Sequence, residues 1–239
     1  YFSYRSDGDT YSPRQTYEDL PTKARLLGEQ IKALGATNPG RAIDLVGHSQ
    51  GWVVIDLFLT QIYRGHADEF PVLANVVTFA SPHEGTPLAT VGDAIDHSPA
   101  GPSVKASLSF SPQPSPVGKL SVAQLSQGSP LITELWRNGL PRGIRFLSIV
   151  GSEDQVVPSS SGDVPDSPKV IVQAGAPFVP DDHSAILHDD DAISTAQVHL
   201  AGGSPAMNCG PLSDVSGEIY SQVLNAGAQK INQLGTLRA

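Results

Sequence analysis

The pentapeptide Gly47-His48-Ser49-Gln50-Gly51 constrains this chain more than any other feature, because of what flanks it. Before it, Ala42-Ile43-Asp44-Leu45-Val46 reads as a short buried strand. After it, residues 50–64 are apolar on most sides, the pattern of a buried helix. A serine squeezed between strand and helix must sit on a sharp, strained turn that lifts its hydroxyl above the sheet edge. Glycines two before and two after it carry no Cβ, and so let strand and helix approach closely. The helix N-terminus aims backbone N–H groups at any negative charge that develops there. Ser49 is therefore the candidate nucleophile, and the Gln50 N–H a candidate oxyanion donor.

The rest of the chain alternates in the same way. Residues 1–4 look like the end of a strand. A helix follows from about Asp19, with Leu20, Ala24, Leu27, Ile31 and Leu34 spaced at three and four and Gly35 placed to cap it. Strands are expected at 72–80, 144–150 and 169–173, and helices at 190–200 and 213–234. Strands alternating with helices imply a parallel sheet covered on both faces, an α/β fold. A length of 239 residues suits one such domain, spanning 1–239. Residues 98–118 hold six serines and five prolines, which predicts a mobile excursion rather than core.

A lone serine needs a base, and the base a carboxylate to orient it. Asp154 lies just past the strand ending at Val150, where open α/β sheets place functional groups. Glu153, Asp163 and Asp166 compete for the role. His183, in the loop after the last strand, is favoured as base over His188, which stands before the acidic helix start Asp189-Asp190-Asp191. His48 is expected to pack or hydrogen-bond beneath the turn, and His83 to brace the site from a neighbouring loop. His66, His97 and His199 read as surface residues.

Composition narrows the function. The net charge is −9 with only 15 Lys and Arg and no basic cluster, so nucleic acid is not an expected partner. Cys209 is the only cysteine, which rules out an intramolecular disulfide and a CxxC zinc or redox site. No metal or cofactor is expected. The longest apolar stretch, Trp52–Leu59, contains Asp56 and is too short for a transmembrane segment. The compartment stays open, and a secreted or extracytoplasmic location is compatible with the missing disulfides.

Four segments in order resemble one known group. Gly-His-Ser-Gln-Gly, then Ser81-Pro82-His83-Glu84-Gly85-Thr86-Pro87, then Gly151-Ser152-Glu153-Asp154-Gln155-Val156-Val157-Pro158, then Asp182-His183-Ser184-Ala185-Ile186-Leu187 look like bacterial triacylglycerol lipases and related esterases of the α/β-hydrolase superfamily. The resemblance implies an α/β-hydrolase fold and hydrolysis of carboxylic esters, with a lipid or other ester as substrate. It matches Ser49, Asp154 and His183 to the family triad. It also implies that the excursion at about 86–130 is a lid, whose Leu88, Val91, Ile95, Leu108 and Phe110 could meet acyl chains at a lipid interface. A scaffold of the same fold without activity, and an acyltransferase using the same triad, are the alternatives.

Two departures from the family stand out. Trp52 replaces a second glycine, and a ring there could lie against the acyl pocket. Only 48 residues precede Ser49, enough for one strand–helix–strand unit. The family has further strands upstream, one of which bears the second oxyanion donor. Tyr1 is no initiator methionine, so a fragment of a longer product is expected. The strand at 42–46 should then lack a partner on one side, unless another segment or a displaced 1–4 strand closes the sheet.

Overall fold

The computed structural model describes residues 2, 13–99, 101–102, 118–164, 166–174, 182–206 and 211–236. The expected strand at 1–4 lies outside these residues except for Phe2, and so do most of the 98–118 excursion, with Leu108 and Phe110, and Cys209.

Among the described residues a 3-10 turn over Pro13–Tyr17 precedes helix α1 (Leu20–Thr37), which is started by Asp19, whose carboxylate accepts from the Thr22 N–H at 2.9 Å. This is an N-cap at the expected place. The far end differs from expectation. Gly35 stays inside the helix, and Asn38 ends it by donating its backbone N–H to the Gly35 carbonyl. Gly35 is needed for packing instead, since a Cβ there would meet Pro71 Cδ at 2.9 Å.

Strand β1 (Ile43–His48) leads through Ser49 into α2 (Gly51–Leu57), which widens into a π-helical turn over Phe58–Tyr63. Then come β2 (Leu73–Phe79), α3 (Pro87–His97), α4 (Leu120–Leu125), α5 (Pro130–Asn138), β3 (Arg145–Gly151) and β4 (Lys169–Val172). A 3-10 turn over Asp182–His188 precedes α6 (Asp190–Leu200) and α7 (Pro211–Thr236).

The four described strands form one parallel sheet in the order β1-β2-β3-β4. Because side chains alternate along a strand, the sheet has two apolar faces. On one, Leu45 and Val76 meet Leu27 and Ile31 of α1, Val53 and Leu57 of α2, and Ile132 and Leu135 of α5. On the other, Val77, Phe79, Leu147, Ile149, Val170 and Val172 meet Ile186 of the 3-10 turn and Ala192 and Ala196 of α6. Each fully buried side chain of this kind contributes roughly 1.5–3 kcal/mol of transfer free energy.

The strand at 42–46 is not buried on both sides as its apolar run suggests. Among the described residues β1 pairs with β2 alone. Val46, opposite Val77 in the register, is 56% exposed, and Asp44 is exposed as well. The reason is placement: α6 packs mainly over β2 and β3, and Val46 lies beside rather than beneath it.

His199 is also misread by sequence. It is buried, because the α6 spacing that turns Ala192 and Ala196 inward turns His199 inward with them. Its carbonyl accepts from the Arg145 guanidinium at 3.0 Å.

Helix α2 carries an unusual cost. Asp56 is buried, its Oδ1 has no hydrogen-bond partner among the described residues, and burial pushes its carboxyl up to about 8. Between about pH 4 and pH 8 the unfolded carboxyl is ionised while the folded one keeps its proton, so this group lowers stability as pH rises. Asp56→Asn is expected to raise the urea midpoint at pH 7.5, with a gain of roughly 2 kcal/mol or more that shrinks towards zero at pH 4. Urea titrations of both proteins across that range check it, and a gain independent of pH would refute it.

Candidate active site

Ser49 occupies the turn between β1 and α2 with φ at 53°, a left-handed conformation seldom adopted by a residue with a Cβ. Three contacts hold it there. The Ser49 N–H donates to the Phe79 carbonyl at 3.0 Å, tying the turn to the end of β2. The Trp52 N–H donates back to the Ser49 carbonyl at 3.2 Å, starting the helix. Gly47 allows the close approach, since a Cβ there would lie 2.9 Å from Ile55 Cδ1 and 3.0 Å from the Trp52 nitrogen. Gly51 does not share this role, because a Cβ there would meet nothing within 4 Å. Gln50 follows Ser49 as the N-cap residue of α2, which places its backbone at the positive end of the helix dipole.

The acid is the most completely bonded group of the site. Asp154 sits in the turn after β3, its side chain 4% exposed. Its Oδ1 accepts the N–H groups of Val156 at 2.8 Å and Val157 at 3.0 Å. Its Oδ2 accepts Nδ1–H of His183 at 2.7 Å. These bonds fix both carboxylate oxygens and commit the imidazole to the tautomer with Nε2 unprotonated. That Nε2 is buried and without a hydrogen-bond partner among the described residues. A free, oriented ring nitrogen is what a general base offers before substrate arrives.

His183 is carried by the 3-10 turn, which Ile186 pins into the core at 2% exposure. The competing residues are placed elsewhere. His188 is exposed at the end of that turn, next to Asp189, which caps α6 by accepting the Ala192 N–H at 2.8 Å. Asp163 pairs with Lys169 at 2.8 Å, while Glu153 and Asp166 are exposed.

The loop after β2 braces the site. Thr86 Oγ1 makes a short hydrogen bond to the Val156 carbonyl, and the Glu84 N–H donates to the Ser161 carbonyl at 3.3 Å. The first joins the Ser81–Pro87 segment to the turn that carries Asp154, and the second joins it to the 3-10 turn over Ser159–Gly162. His83 is buried, bonded through Nε2 to Thr78 Oγ1 at 3.2 Å, and its burial drives the imidazole down to about 3. Trp52 packs against it with ring centroids 4.7 Å apart and planes tilted by 51°, and meets Phe146 edge-on at 5.9 Å. The Trp52 ring is thus part of the core. It borders a cavity of about 20 Å³ shared with Asp56, His83, Leu135 and Trp136, whose lining includes none of Ser49, Asp154 and His183.

Two positions escaped the sequence reading. Ala80 adopts φ 44° at the end of β2 and donates its N–H to the Ile149 carbonyl at 2.8 Å, so a second left-handed residue stands beside the serine turn. Tyr220 on α7 is held above the ordinary tyrosine range by burial and by the Asp154 charge, which places α7 near the acid. Neither has a local signal, because both depend on neighbours distant in sequence.

No known family profile matches the chain, and no curated protein matches it in sequence. Solved structures do. Phospholipase PlaB from Legionella pneumophila superposes with a TM-score of 0.59 at 12% identity, over 95% of this chain and 55% of PlaB. Lipase BlEst2 from Bacillus licheniformis, in its propeptide form, superposes with a TM-score of 0.56 at 14% identity, over 80% of this chain and 43% of that one. Its mature form gives 0.51 at 16% identity, over 77% and 74%. The chain has the α/β-hydrolase fold. It spans about half the length of PlaB, and the likeness to these enzymes is one of fold.

Within this hydrolase fold the two histidines of the 3-10 turn should behave differently. If His183 is a base that acts as a unit with a nucleophile, His183→Ala lowers turnover of an ester substrate by at least ~10³-fold. His188→Ala is expected to stay within about twofold, since the residue is exposed and outside the hydrogen-bonded set. Steady-state rates on a nitrophenyl ester check both, and the reverse order would reassign the base.

Proposed function

We propose that this chain is a carboxylic-ester hydrolase acting on acylglycerols or other lipid esters, with Ser49 as nucleophile, His183 as base and Asp154 as orienting acid. The observation that carries the reading is the Asp154–His183 hydrogen bond of 2.7 Å, in a turn packed against the left-handed serine turn through His48. The lipase and phospholipase identities of the structural neighbours support the substrate class.

In this mechanism Ser49 Oγ attacks the ester carbonyl while His183 Nε2 takes its proton. The Asp154 carboxylate stabilises the resulting imidazolium and keeps its ring from turning. Negative charge on the former carbonyl oxygen is met by the Gln50 N–H at the head of α2. His183 returns its proton to the departing alkoxide, leaving Ser49 acylated. Water then attacks the acyl carbonyl while His183 takes one of its protons. His183 passes that proton to Ser49 Oγ as the C–O bond to serine breaks and the carboxylic acid leaves. No cofactor takes part in this scheme.

The chain acts in this reading as one domain, and the segment at about 86–130 is its lid. Leu88, at the start of α3, is 39% exposed and offers apolar surface on the lid side. Acyl chains and a lipid interface are the expected contacts of that surface.

Ser49→Ala should abolish hydrolysis of nitrophenyl butyrate, by up to about a millionfold if it follows other serine hydrolase units. The variant should melt within a few degrees of the parent, because the side chain removed is only half-buried. A fluorophosphonate probe should label the parent chain and not the variant. Turnover by the variant well above background, or labelling that persists in it, would remove Ser49 from the mechanism. Hydroxylaminolysis in competition with water separates hydrolysis from acyl transfer.

A further inference from the structure

His48 ends β1 and immediately precedes Ser49. Alternation along the strand puts its side chain on the Val46 face, where its register partner is Phe79 and where the 3-10 turn and α6 lie. The residue is half-buried there, and its Nε2 lies 3.2 Å from the backbone carbonyl oxygen of His183. A carbonyl oxygen can only accept, so His48 carries its proton on Nε2 and donates. The two imidazole rings pack with centroids 4.8 Å apart, tilted by 36°.

Burial, and the facing His183, hold the His48 imidazole below its ordinary range. The hydrogen bond to the His183 carbonyl and, after it, the Asp154 charge oppose that shift. His48 therefore stays neutral while His183 cycles through its imidazolium form, and adds no repelling charge beside it.

The two ends of His183 are held by different parts of the chain. Asp154 fixes the ring through Nδ1, and His48 fixes the main chain through the carbonyl. Between them the ring keeps one nitrogen, Nε2, without a hydrogen-bond partner among the described residues. The strand that presents the nucleophile thus also fixes where the base stands. We infer that His48 is a positioning residue that clamps the main chain of His183 so that Nε2 is held in register with Ser49. This rests on the reading of Ser49, His183 and Asp154 as a catalytic unit.

The test compares His48→Gln with His48→Phe. The Nε2 of a glutamine stands the same number of bonds from Cα as that of histidine, so it can reach the same carbonyl. Phenylalanine keeps a ring and loses the donor. For nitrophenyl butyrate, His48→Phe should lower kcat by ~10–100-fold with KM within about twofold, because a small displacement of the base penalises the chemical step rather than binding. His48→Gln should recover most of that loss.

A second measurement is independent of turnover. The proton shared between His183 Nδ1 and Asp154 should give a low-field resonance in the parent and in His48→Gln, and a broadened or absent one in His48→Phe. If the two variants lose kcat equally, or if His48→Phe keeps both kcat and the resonance, His48 has no positioning role. If the parent shows the resonance but neither hydrolyses esters nor takes up a fluorophosphonate, the hydrolase reading fails instead. The resonance in the two variants then decides the clamp alone.

Discussion

The left-handed turn at Ser49 is the constraint on which the rest of the site depends. Holding a non-glycine residue there costs about 1–3 kcal/mol, and it persists only where its surroundings leave no alternative. Here the alternatives are closed by the bond from Ser49 to Phe79, the first turn of α2, and the contact of Gly47 with Ile55. That contact belongs to the same core that seats α1, α2 and α5 against the sheet. Burial of that core offsets the strain.

Two buried acids show how differently the same group can be treated. Asp154 has both oxygens occupied by N–H donors, and its turn is tied to the neighbouring loop through Thr86. Asp56, inside α2, has an oxygen with no partner among the described residues and keeps its proton to pH values where an exposed aspartate is fully ionised. A buried carboxylate stays charged only when donors replace the water it has lost. The contrast lies in the donors: three N–H groups face the Asp154 oxygens, and none reaches Asp56 Oδ1 among the described residues.

The site collects segments that are far apart in the chain. Residues 48–50, 80–86, 154–157 and 183 all follow strand ends or the turn after the last strand, and a parallel sheet puts those ends on one side. His48 is where two of these segments touch, and the bond between residues 48 and 183 spans most of the domain in sequence. Such contacts carry no local signature. The Ser81–Pro87 segment shows the same limit: its His83 could be read as a brace, yet its partners Thr78 and Trp52 could not be named.

Much was legible in the chain itself, because some features are local. The boundaries of α6 follow from Asp189 as a cap and from apolar spacing, and the β1–Ser49–α2 junction follows from an apolar run meeting a glycine motif. The order serine, acid, histidine is likewise a property of sequence. Tertiary structure decided what depends on a neighbour. His199 is buried because a sheet lies beneath α6, and Val46 is exposed because α6 packs mainly over β2 and β3. Gly35 makes room for Pro71 instead of ending a helix, and Trp52 joins the core beside His83. Local propensity and periodicity describe a residue's own segment, whereas burial and hydrogen-bond partners are set by segments that arrive only when the chain folds.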